Sequence, residues 1–154
     1  MNGTREQQSL EPFLVKSVHI GVKNSESDMA ELIRAAEDFC LERGVDRDTC
    51  YFVELALEEL LTNTINYGYQ PDTEGNISVD LSIDQGVLMV AIVDDGAPYD
   101  PLSRPPVDIA ESVDDRPVGG LGVHLVKATM DDCRYARENG CNRFTFSKRL
   151  DKAA

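Results

Sequence analysis

From Asp46 to Gly68 the chain runs without a proline and without an interior glycine. Its apolar residues recur at three and four, the period of an amphipathic helix. At about 100° per residue, Val53, Leu57, Leu60, Leu61, Thr64 and Ile65 share one broad arc, the side that faces a core. Glu59, Asn63 and Asn66 fall on the other side: a carboxylate, an amide at i+4 and a second amide at i+7. A carboxylate accepts a proton, and an amide oxygen is a hard ligand suited to Mg²⁺. Taken alone, this is also what a solvated helix face looks like. The rest of the chain has to decide between the two.

With 154 residues the chain has room for one domain with a real core. Its net charge of −13 argues against nucleic acid and against anionic membrane surfaces as partners, and leaves room for a basic protein partner. Of the four cysteines no pair has C-x-x-C spacing, and only His19 and His124 could assist. A zinc site is therefore not expected, and idle thiols in a reducing compartment are. The N-terminus has no apolar run of signal-peptide type, and no stretch approaches a membrane span. The expected location is the cytoplasm.

Residues 1–10 read as a loose polar tail and 11–150 as the domain. A strand is expected over Phe13–Ile20, then a helix with N-cap candidates in Asn24-Ser25-Glu26-Ser27-Asp28 that stops near Gly44. Asp46 opens the long second helix. Asn76–Ile83 alternates polar and apolar residues, Asp84-Gln85-Gly86 is a hairpin turn, and Val87–Val93 is a continuous apolar strand, covered on both faces or central in its sheet. From Ala97 to Val118 the periodicity vanishes, and five of the seven prolines lie there. A structureless stretch of this length is expected to be functional or mobile. Gly119-Gly120-Leu121-Gly122 feeds a third helix. Two strands follow, Cys133–Arg137 and Arg143–Ser147, joined by Glu138–Asn142 as a hairpin loop. Arg134, Arg137 and Arg143 are expected on one modestly basic strand face. The order implies an α+β fold, a two-layer sandwich with a mostly antiparallel sheet and helices on one face.

Two further motifs accompany the helix. Asp94-Asp95-Gly96 ends the most apolar strand. A carboxylate there can accept from an exocyclic amine, and Gly96 lets a flat ring approach the backbone. Gly119-Gly120-Leu121-Gly122 at a helix start offers exposed N–H groups and a positive helix end to an anion. Each motif alone has an ordinary reading, as a turn or a hinge.

The series E-x-x-x-N on a helix, D-x-G after a strand, a long loop and G-x-G at a helix start resembles the ATP-binding superfamily of gyrase, histidine kinases, heat-shock chaperones and mismatch-repair ATPases. Within it, Glu59–Asn63 with Gly68-Tyr69, Asp94-Asp95-Gly96, Gly119–Val126 and Met130-Asp131-Asp132 look most like the small bacterial anti-sigma serine kinases. The resemblance runs from about Phe13 to Leu150 and implies a Bergerat-type ATP-binding fold. It implies Glu59 as general base and Asn63 as ligand of a Mg²⁺ that bridges the phosphates of ATP. It gives Asp94 and Gly96 to the adenine, with Asn66 beside the site. Gly119, Gly120, Leu121 and Gly122 would hold phosphates, and 97–118 would be the lid.

The resemblance also implies a partner, a small anti-anti-sigma protein with a STAS domain, and it extends to an alternative sigma factor and to a homodimer through the exposed sheet. The sequence departs from the pattern at Pro98, where a glycine is common, at Tyr67, where a histidine is common, and at Val118-Gly119, where an arginine is common. Arg116 and Arg104 are the nearest arginines. The activity implied is ATP-dependent protein-serine kinase. The alternative is a nucleotide-gated partner-binding switch without kinase chemistry, and a detached ATPase half of a histidine kinase fits less well because no phosphoacceptor helix is present.

Overall fold

The computed structural model describes residues 16–103 and 120–150. Strand β1 is Ser17–Lys23, followed by helices α1, Glu26–Glu42, and α2, Arg47–Gly68. Strands β2, Asn76–Asp84, and β3, Val87–Asp94, form a hairpin, and a short 3-10 turn covers Pro101–Ser103. Helix α3 is Gly120–Thr129, and strands β4, Asp132–Glu138, and β5, Cys141–Arg149, close the order. The strands make one five-stranded sheet in the order β1-β2-β3-β5-β4, antiparallel at every pairing. The fold is α+β, with three helices among the described residues.

Local chemistry explains the boundaries. The Ser25 hydroxyl accepts from Asp28 N at 3.2 Å and caps α1. Asp46 caps α2 twice over, accepting from Thr49 N at 2.7 Å and from the Thr49 hydroxyl at 2.8 Å. The bonds from Thr49 hold the Asp46 carboxyl below its ordinary range. Both hairpins close on two residues with positive φ, Gln85-Gly86 and Asn139-Gly140, which matches the twist of the flanking strands.

The second of these turns is tighter than the five-residue loop expected from sequence, and Asn142 therefore belongs to β5. Strand β1 starts at Ser17, later than expected; Phe13–Val15 lie outside the described residues. The tail 1–10 lies outside them too.

The helices cover one face of the sheet. Against them stand Val79, Leu81, Val90, Ile92, Phe144 and Phe146, all buried, and from α2 Val53, Leu57, Leu60 and Leu61. Of the two arrangements its composition allowed, the apolar strand β3 takes the central one; Met89 is exposed on the face away from the helices. The three arginines do not share a face. Arg134 and Arg143 lie on the open side of the sheet, whereas Arg137, paired with Asn142, lies on the helix side. Alternation along β4 puts odd and even positions on opposite faces, so one basic strand face could not form.

Leu61→Ala, at a side chain with no exposed area, is expected to cost about 2–5 kcal/mol in urea unfolding. Glu58→Ala, on the exposed side of the same helix, is expected to cost less than about 0.5 kcal/mol.

Candidate active site

The polar side of α2 is not one solvated face. Asn63 is 1% exposed, Glu59 is half-buried and Asn66 is exposed. Helix α3 accounts for part of this. A Cβ on Gly122 would run into the Glu59 side chain, 2.5 Å from Oε2, so only glycine lets the start of α3 lie on this carboxylate. Gly120 and Leu121 form the first turn of α3, which puts the glycines inside the helix end rather than ahead of it. Gly119, Arg104 and Arg116 lie outside the described residues, as does the rest of the lid expected after Ser103.

One turn beyond Glu59, the Asn63 amide is buried, and neither Oδ1 nor Nδ2 has a hydrogen-bond partner among the described residues. A buried amide left in this state costs about 1–3 kcal/mol. Asn66 is not drawn into this group; it lines a surface depression with Asn24, Ile65, Gln70 and Thr73.

Asp94 arrives from the other side, at the end of β3. It is 5% exposed. Gly96 N and Asn142 Nδ2 both donate to its Oδ1, each at 2.9 Å. Burial raises its pKa; the bonds from Asn142 and Gly96 and the charge of Arg137 work against that rise, and Asp95 adds to it. Its neighbour Asp95 faces outward and acts as a clamp. It accepts from the Tyr69 hydroxyl at 2.7 Å, from Asn76 N at 2.9 Å and from Asn76 Nδ2 at 3.1 Å. Burial pushes the Asp95 pKa up, but these bonds outweigh it and the net shift is downward.

Gly96 has a role that its motif did not reveal. A Cβ there would stand 2.7 Å from Gly68 O. The closeness is between two backbones, because Ala97 N donates to that same Gly68 O at 2.7 Å. The end of β3 is thereby joined to the end of α2. Arg137 closes the turn from β4, its Nη1 donating to Gly96 O at 2.7 Å.

Between α2 and the sheet lies a cavity of about 20 Å³, bordered by Thr64, Gly68, Asp94, Tyr99, Tyr135 and Asn142. Tyr99 stacks on Tyr67, with ring centroids 5.0 Å apart and planes at 16°, so Tyr67 packs against the segment that follows Gly96. A much larger depression, about 660 Å³, runs along β1 and β2 at the open side. Along its rim Lys23 pairs with Asn76 and Glu74 and His19 with Asp80; it touches Asp94 and Asp95 but lacks Glu59 and Asn63.

The model of the histidine kinase-like ATPase domain matches residues 22–148. The chain belongs to that family. Curated relatives of this ATPase include the serine-protein kinase RsbW of Listeria monocytogenes, 28% identical over 92 residues, which are 57% of this chain and 59% of the relative. The serine/threonine-protein kinase BtrW of Bordetella bronchiseptica is 29% identical over 97 residues, 63% of this chain and 68% of the relative. RsbW of Bacillus subtilis is 27% identical over 101 residues, 63% of each. The ATPase chain thus spans three-fifths of the length of the first of these relatives. Among solved structures, the RsbU and RsbW domains of Rv1364c from Mycobacterium tuberculosis share the fold, with a TM-score of 0.66 and 18% identity over 90% of this chain and 33% of that one. No helix among the described residues is long and apolar enough to cross a membrane.

Asn142 and Arg137 escaped the sequence reading. Asn142 was placed in a hairpin loop and Arg137 on an open strand face. The Asn139-Gly140 dipeptide, a two-residue turn signal, was the cue that would have moved Asn142 into a strand.

Gly96→Ala is expected to destabilise the ATPase by about 1–3 kcal/mol, since the new methyl meets backbone rather than a flexible side chain. Asn63→Leu, which removes an unpartnered buried amide at similar volume, is expected to stabilise the nucleotide-free chain by about 1–3 kcal/mol. Urea unfolding of both variants measures each change.

Proposed function

We propose that this ATPase is a protein-serine kinase of the partner-switching type. It transfers the γ-phosphoryl group of ATP to a serine of a small anti-anti-sigma, STAS-domain protein, and it holds an alternative sigma factor in the other state of the switch. The observation that carries the reading is the unpartnered, buried Asn63 amide one turn from Glu59. A polar group at that cost is retained where a ligand completes it. The kinase names of the curated relatives support the reaction class.

The residues fit a Mg²⁺ held mostly by phosphate oxygens. Asn63 Oδ1 is a hard, neutral donor, and Mg²⁺ typically takes few protein ligands when it sits on a nucleotide. Among the described residues no group of three or more His, Cys, Asp or Glu could form a cage of its own. Bound there, the ion would neutralise phosphate charge. Asp94 accepts from the adenine amine, and Gly122 with Gly120, Leu121 and Gly119 brings the α3 end to the phosphates. The closing cation is assigned to Arg116, with Arg104 the alternative, both outside the described residues. Glu59 takes the proton from the acceptor serine hydroxyl. The serine oxygen forms its bond to the γ-phosphorus as the bond to the ADP oxygen breaks, and ADP leaves with that electron pair.

A second reading keeps the nucleotide and drops the transfer. The α3 start rests on Glu59, and the cavity beside Asp94 is far smaller than a purine. Nucleotide entry therefore displaces surface elements, which is what a nucleotide-gated binding switch needs.

Glu59→Gln is expected to bind ATP at least as tightly as the unchanged protein and to lose phosphoryl transfer by about 10²–10⁴-fold, read with labelled ATP and the STAS-domain acceptor. Equal transfer by both proteins would remove Glu59 from the role of base. ATP-dependent partner binding without any transfer would favour the switch.

A further inference from the structure

We propose that Asn142 is the positioning residue that makes the base pocket choose a 6-amino purine over a 6-oxo purine. The inference rests on the reading of Asp94 as the base-binding group. Asn142 is 5% exposed and stands directly across from Asp94 in the β3–β5 register. Its amide is bonded at every position it has. Nδ2 donates to Asp94 Oδ1 at 2.9 Å and to Ala97 O at 2.8 Å. Oδ1 accepts from the Tyr135 hydroxyl at 2.5 Å and from Tyr99 N at 3.3 Å. Rotating the amide by half a turn would set its oxygen against two acceptors, Asp94 Oδ1 and Ala97 O, and its nitrogen against the Tyr99 N–H. One orientation survives.

That orientation decides what Asp94 can offer. With Gly96 N and Asn142 Nδ2 both on Oδ1, the carboxylate is held from two directions. Among the described residues no hydrogen bond reaches Oδ2, so Oδ2 is the acceptor left for a ligand. An ionised carboxylate has no donor. It rewards an exocyclic amine and repels a carbonyl oxygen in the same place, and a buried mismatch of this kind discriminates strongly. Were Asn142 absent, Asp94 would lose one of the bonds that favour its charged form. The remaining influences are Arg137 from β4, which opposes the rise in pKa, Asp95 next to it, and Tyr69 beyond the end of α2. A protonated Asp94 could donate to a 6-oxo group, and the preference would fade. Asn142 also bonds to the backbone at Ala97 and Tyr99, so the segment bordering the cavity is aligned by the same amide.

The test compares binding of ATP and ITP, by calorimetry with Mg²⁺, to the unchanged protein, Asn142→Leu and Asn142→Ser. Asn142→Leu is expected to lose ATP affinity by about tenfold or more while ITP affinity stays or rises. The acid side of its ATP-binding pH profile is expected to move to higher pH. Asn142→Ser, which keeps a donor, restores part of the preference. Equal loss for both nucleotides, or an unmoved pH profile, overturns the proposal. Should Asn142→Leu fail to fold in a thermal scan, Tyr135→Phe releases the amide from behind, and an unchanged ATP/ITP ratio there overturns it as well. If the unchanged protein binds both nucleotides alike, or neither, the reading of Asp94 falls and the proposal with it. A strong ATP preference that survives every Asn142 variant sinks this proposal alone.

Discussion

The contact between Gly68 and the Gly96-Ala97 peptide decides where everything else in the site can be. Two backbones meet there at 2.7 Å, with no side chain between them. Through it the last turn of α2 is fastened to the end of the central strand. Glu59 and Asn63 are then fixed by helix geometry, and Asp94 by its place in the sheet. A site built on rigid elements holds its groups more closely than one built on loops. The Asp95 clamp serves the same end from outside, because Tyr69 and Asn76 belong to the two sides of the turn that leads out of α2.

Around that contact the buried polar groups divide into two kinds. Asn142 has all its hydrogen-bonding positions filled by the protein. Asn63 has none filled, and Asp94 has its bonds on one oxygen. A fully connected network rigidifies, and an unfilled one costs free energy until something completes it. The division has a direction. The filled amide, Asn142, lies in the sheet and the empty one, Asn63, on α2, while half-filled Asp94 stands at the end of the central strand. The raised pKa of Asp94 has a consequence of the same kind. The folded chain holds that proton more tightly than the unfolded chain does. Stability from this group is full at low pH and declines as pH rises through its folded pKa. On the proposed reading of Asp94, adenine binding would need the ionised form, so affinity would run the other way. The protein gives up some stability at neutral pH to keep a charged acceptor inside.

Much of the fold was legible because its signals are local. The period of Val53, Leu57, Leu60 and Leu61 marks a helix whatever it packs on. The Asp46 cap and the alternation of Asn76–Ile83 need no tertiary knowledge either. The site was legible only in outline. Glu59, Asn63 and Asp94 could be named, but helix phase put Asn63 on an outer face because the covering element, α3, comes far later in the chain. Gly96 was read as room for a ring, although its neighbour is Gly68, distant in sequence. Asn142 and Arg137 act through cross-strand register, which a two-residue turn sets and a five-residue loop conceals. In each case the missing information was which distant backbone comes near.

The same covering element creates a competition. The first turn of α3 carries unpaired N–H groups and the positive end of a helix dipole, which together attract an anion. In this structure that turn lies against Glu59, so close that a Cβ on Gly122 would stand 2.5 Å from Glu59 Oε2. A nucleotide phosphate seeks the same helix end. On the proposed reading, a bound nucleotide would separate α3 from Glu59, and the small cavity at Asp94 would have to widen at Tyr99 and Pro101. Both displacements subtract from the intrinsic affinity. They also carry the event outward, because α3 and the Tyr99 segment stand at the two ends of the sequence expected to form the lid. A carboxylate released from the helix end is at that moment free to take a proton from an incoming hydroxyl. On the proposed reading, the movement that admits the nucleotide would also ready the base, because both turn on the contact between Gly122 and Glu59.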